Sequence, residues 1–116
     1  MANQGRRINW TSEEVILALE LYLKCGRRVL GAERPEVIAL SQLLNQLPIH
    51  STDSRPENFR SPGSVERKLG NLRALDPTNS GVGLSSVSKV DRQVWDEFAN
   101  DPTALEAAAN KVRSIR

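Results

Sequence analysis

Three of the six prolines, Pro35, Pro62 and Pro102, each stand where an amphipathic segment begins, and this placement most limits what the chain can become. Proline has no N–H to donate and a φ already set for helix, so the first helical position accepts it and the interior of a strand does not. Ser61 and Asp101 precede two of them as N-cap residues. Pro48 and Pro77 follow the ends of apolar stripes, where a helix has to stop. The punctuation is that of a helical chain.

The stripes agree. Thr11, with Glu14 three residues on, has the spacing of a capping box, and Val15, Leu19, Tyr22 and Leu23 recur at helical spacing toward Gly26. A helix is expected over 12–25, with Glu13, Glu20 and Lys24 on more polar positions. Val37, Leu40, Leu44 and Leu47 pattern a second over 35–47, and Val65, Leu69, Leu72 and Leu75 a third from Pro62 to before Asp76. Ser88 with Asp91 starts a fourth, which buries Val90, Val94, Trp95 and Phe98. Leu105, Ala108, Ala109, Val112 and Ile115 pattern the fifth. The expected fold class is all-α, a small bundle of about five helices, with a basic third helix of helix-turn-helix character and a long loop, Ile49 to Arg60, before it. A second loop runs from Thr78 to Ser88, and no strand or internal repeat is read.

Length and composition narrow the function. The 116 residues make one domain over 10–116 behind a short basic arm, 1–9. With 4% aromatic residues the core is built from Leu, Val, Ile and Ala. One cysteine, Cys25, and one histidine, His50, are too few for a Cys/His zinc site or a two-histidine metalloprotease, so no metal and no cofactor are expected. No apolar run spans a membrane and no signal peptide is read at the N-terminus, so a cytoplasmic location is expected.

The net charge of +2 is unevenly spread. Residues 1–9 carry +2 through Arg6 and Arg7, and residues 49–75 carry +2 through Arg55, Arg60, Arg67, Lys68 and Arg73 against Asp53, Glu57 and Glu66. Residues 10–48 and 76–116 each carry −1. A basic helix behind a shorter one, with an arginine arm, is the layout of a reader of duplex DNA. Ser61, Gly63 and Ser64 are small enough to let a phosphate approach the free N–H groups of the third helix. Arg60, Arg67, Lys68 and Arg73 serve phosphates or a guanine edge, and Asn71 offers an amide to a base. His50 and Arg55 reach from the loop, and Arg6 and Arg7 lie along the backbone or a minor groove.

The blander readings are a loop histidine that holds its turn, a Phe59 that anchors the loop rather than stacking on a base, and arginines that are merely solvated. Those belong to a second hypothesis, a helical protein-interaction or assembly domain, for which a homodimer is one form. A metal-dependent nuclease using Asp53, Glu57 or Glu66 ranks below both, because arginines interleave these acids and their spacing fits no metal site. Catalytic residues are expected to be none.

Several strings resemble the N-terminal helical domain of bacterial HNH-type, modification-dependent restriction endonucleases. They are Trp10-Thr11 with Glu13-Glu14, Leu19 to Leu23, Val37-Ile38 with Leu40-Ser41 and Leu43-Leu44, Leu47-Pro48-Ile49-His50, Phe59 to Val65, Lys68 to Leu72, Leu75-Asp76-Pro77 and Val94 to Phe98 with Asp101-Pro102. The similarity covers roughly residues 9–113, although the family pattern often has Asn-Gly where Gly63-Ser64 stands here. The resemblance implies a specificity module that senses modified bases, 5-methylcytosine among them, in double-stranded DNA. It further implies a bacterial defence role in which a separate zinc-stabilised HNH domain of a longer parent does the cutting.

Overall fold

A computed structural model describes residues 8–51, 53, 55–78 and 87–115. Arg6 and Arg7 lie outside the described residues, as does most of the expected second loop. The described residues form five helices: α1 (Ser12–Lys24), α2 (Pro35–Gln46), α3 (Pro62–Leu75), α4 (Lys89–Phe98) and α5 (Pro102–Arg113). The architecture is a small all-α bundle with no strand among the described residues.

Local chemistry sets the boundaries. Thr11 and Glu14 form a reciprocal capping box on α1, and Ser88 and Asp91 do the same on α4. Ser61 Oγ accepts the Ser64 N–H on α3, and Asp101 accepts the Ala104 N–H on α5. Gly26, at φ +88°, turns the chain out of α1 in the left-handed region that only glycine enters without cost.

Helix α1 packs against each of the other four helices. Every residue from Glu14 to Glu20 is buried, which is how a central helix differs from one lying on a surface. Glu20 therefore departs from the expected polar position: Arg113 of α5 reaches it at 2.6 and 3.2 Å and supplies its countercharge across the bundle. Leu19, Tyr22, Leu44, Leu69 and Leu72 are fully buried where α1, α2 and α3 meet, and truncating one such leucine to alanine costs about 2–5 kcal/mol. Tyr22 donates to Asp76 at the end of α3, which also accepts from Arg27 and Thr78. No helix among the described residues is long and apolar enough to cross a membrane.

The connection from α2 to α3 is tied down. Ser41 Oγ donates to the Arg60 carbonyl at 2.7 Å, and Asn45 Nδ2 donates to the Phe59 carbonyl at 3.0 Å. Arg60 adopts φ +47°, a left-handed conformation that costs a non-glycine residue energy and persists where several contacts hold it. These tethers fix the start of α3, and with it one wall of the site.

Candidate nucleic-acid interface

A cleft of about 970 Å³ opens between the chain segment 8–10, the start of α3 and the start of α4. Gly63, Ser64, Arg67, Lys68 and Asn71 recur three and four residues apart along α3, so one helix face lines it. Trp10, just before the α1 cap, lines it as well, as do Ser88, Lys89 and Val90 at the start of α4. The described lining includes Arg60, Arg67, Lys68 and Lys89 and no Asp or Glu.

The four cations differ in what they are free to do. Arg60 is 5% exposed and fully engaged. Its Nε donates to Glu14 Oε2 at 2.8 Å and one terminal nitrogen to Glu14 Oε1 at 2.9 Å, while the Ile8 and Asn9 carbonyls accept at 3.1 Å. Its guanidinium also stacks between aromatic groups, 4.7 Å from the Trp10 ring centre and 4.5 Å from that of Phe59. Lys68, 7% exposed, donates to both oxygens of Asp91 at 2.8 and 3.0 Å. Arg67 and Lys89 are exposed, and neither takes part in any ion pair among the described residues.

His50 and Arg55 hold the preceding loop. His50 Nε2 stands 3.0 Å from Glu14 Oε1, where an ionised carboxylate makes the ring nitrogen the donor. Arg55 donates to the Asn45, Leu47 and His50 carbonyls at 2.6, 3.0 and 3.0 Å, a positive charge on the negative end of α2. Both side chains pack on Phe59, itself buried. Burial alone would raise the Glu14 carboxyl. Arg60, the Thr11 N–H and His50 outweigh that and hold it below the usual carboxylate range.

The residues expected to meet DNA thus divide into three groups. Ser61, Gly63, Ser64, Arg67 and Asn71 meet at the cleft with free surface or unspent hydrogen-bonding groups. Arg60 and Lys68 line it with their charges committed to Glu14 and Asp91, and His50 and Arg55 are bonded within the loop beside it. Arg73 lies nearer the far end of α3 and does not line the cleft.

Two residues escape a count of basic segments. Lys89 is the first residue of α4, where the helix dipole disfavours a cation, and that mismatch is visible in the sequence. Trp10 packs against the core with one part and forms part of the cleft wall with the rest. The first turn of α3 carries no acid; Pro62 has no N–H and Ser61 Oγ takes the Ser64 N–H, which leaves the Gly63 N–H and the helix dipole at the cleft.

The arrangement can receive an anion at its rim through Arg67, Lys89 and the amino end of α3. Its floor is polar but uncharged in net terms, because Arg60 and Lys68 sit on buried carboxylates. Comparison with protein-family models, with curated proteins and with solved structures finds no match to this chain.

Proposed function

We propose that this chain is a DNA-binding specificity module that engages double-stranded DNA at the cleft between α3 and α4. One observation carries the reading: two exposed cations outside any ion pair among the described residues, Arg67 and Lys89, line a cleft at the amino ends of two helices that has no Asp or Glu among its described lining residues. Arg67 and Lys89 contact phosphates, and the exposed Gly63 lets a phosphate oxygen approach the first turn of α3. Arg60 and Lys68 keep the walls in place. The module binds, and any cleavage belongs to a separate nuclease.

The resemblance over residues 9–113 supports the finer reading, in which the base sensed is a modified cytosine in a bacterial restriction setting. Titration with plain, 5-methylcytosine and 5-hydroxymethylcytosine duplexes at two salt concentrations tests both levels. Binding that weakens with salt is expected, tighter for a modified duplex. Equal affinity for all three leaves DNA binding and removes modification sensing, and absence of binding at low salt removes both in favour of a protein-interaction domain.

A further inference from the structure

Asn71 is 7% exposed and lines the cleft, yet its Oδ1 has no hydrogen-bond partner among the described residues. Its amide nitrogen has no hydrogen bond among the described residues. A buried amide left unpaired is costly and uncommon in native structures, so a group that satisfies it when bound accounts for its presence. The acceptor Oδ1 calls for a donor, which a phosphate does not carry, so a phosphate alone would leave it unsatisfied. Trp10, an aromatic group that is only partly buried, lines the same cleft.

We infer that the cleft takes up one unstacked nucleobase of the bound DNA and that the Asn71 amide reads its Watson–Crick edge. This rests on the DNA-binding reading above. Every base carries a donor beside an acceptor on that edge, in an order that differs between bases, so an amide held in one orientation by its burial pairs with some and not with others. A base still stacked in a duplex presents its edge along a groove, where side chains that read it project from the protein surface. Asn71 does not project, so the base must leave the stack to reach it, with Arg67 and Lys89 holding the flanking phosphates. The cleft volume, about 970 Å³, lies at the upper end of the ~300–1,000 Å³ of sites that enclose small organic ligands.

The test follows the Asn71 side-chain amide by NMR in the full chain. It is titrated with octanucleotides of dC, dA and dT and with a mixed-sequence duplex, and affinities are measured for the wild type and Asn71→Leu. The amide signals are expected to move on binding, the strands to compete with the duplex, and affinities among strands to differ at least about fivefold. Asn71→Leu is expected to compress that range below about twofold. DNA binding with an unmoved Asn71 amide overturns the inference and needs no variant, as does an Asn71→Leu chain with unchanged base preference. A chain that binds neither strand nor duplex overturns the DNA reading itself.

Discussion

Arg60 grips both carboxylate oxygens of Glu14, at 2.8 and 2.9 Å, across 46 residues of chain. Glu14 is 1% exposed and also serves as the return half of the α1 capping box. One buried carboxylate thus starts the central helix, fixes Arg60 just before the α3 cap and sets the edge of the cleft. Removing one partner of a buried pair leaves a charge in the interior and costs about 3–5 kcal/mol.

Glu14→Gln and Arg60→Met are each expected to destabilise the fold by about 3–5 kcal/mol. The double variant should lose well under the sum, because neither charge is then left alone. Chemical denaturation of the four chains measures the coupling. Fully additive losses would show that the pair does not act as a unit.

The start of α3 separates stability from binding. A Cβ on Gly63 meets only the Ser61 hydroxyl at 3.8 Å, an ordinary contact. Gly63→Ala is therefore expected to leave stability unchanged or raise it by up to about 1 kcal/mol. Its added methyl stands where a phosphate would come close, so DNA affinity is expected to fall several-fold. Thermal melts and a duplex titration on one preparation read both effects.

Asn71→Leu follows the same logic within the cleft. It removes a buried acceptor that has no partner among the described residues, and such a group carries a penalty of about 1–3 kcal/mol. The free protein is expected to gain stability while base preference is lost. A melting temperature lowered by several degrees would show that Asn71 supports the fold instead.

Acid should unfold the chain through three carboxyls. Burial raises each of Glu14, Glu20 and Asp76, but their hydrogen-bond and charge partners lower them further, so all three sit below their ordinary values. The stabilisation is complete above the unfolded values of about 4 and is lost as pH falls through the lower folded ones. Melting temperature is expected to drop steeply below pH 4, and Glu20→Gln should flatten part of that drop. A drop of the same depth in Glu20→Gln would exclude Glu20 from the acid response.

The helices were legible because their signals are local: Thr11 with Glu14, Ser61 with Pro62, Ser88 with Asp91 and Asp101 with Pro102 each act within one turn. The roles of the cations were not. Arg60 answers to Glu14 across 46 residues, Lys68 to Asp91 across 23 and Arg113 to Glu20 across 93, so charge counted by segment treats committed cations as free. Folding spends the charges of Arg60 and Lys68 inside, and Arg67 is left at the cleft to join Lys89, a residue of the segment that counts as acidic.

That pairing gives the most direct measurement. Arg67→Ala with Lys89→Ala removes the two exposed cations of the cleft and touches no ion pair, so the melting temperature should stay within a degree or two. Duplex binding by this variant and by the wild type is followed across a range of salt concentrations. The account predicts weaker binding of the variant and a log–log salt slope shallower by roughly 0.9 per lost phosphate contact, close to two in all. An unchanged affinity and slope in a folded variant would contradict the assignment of this cleft to DNA.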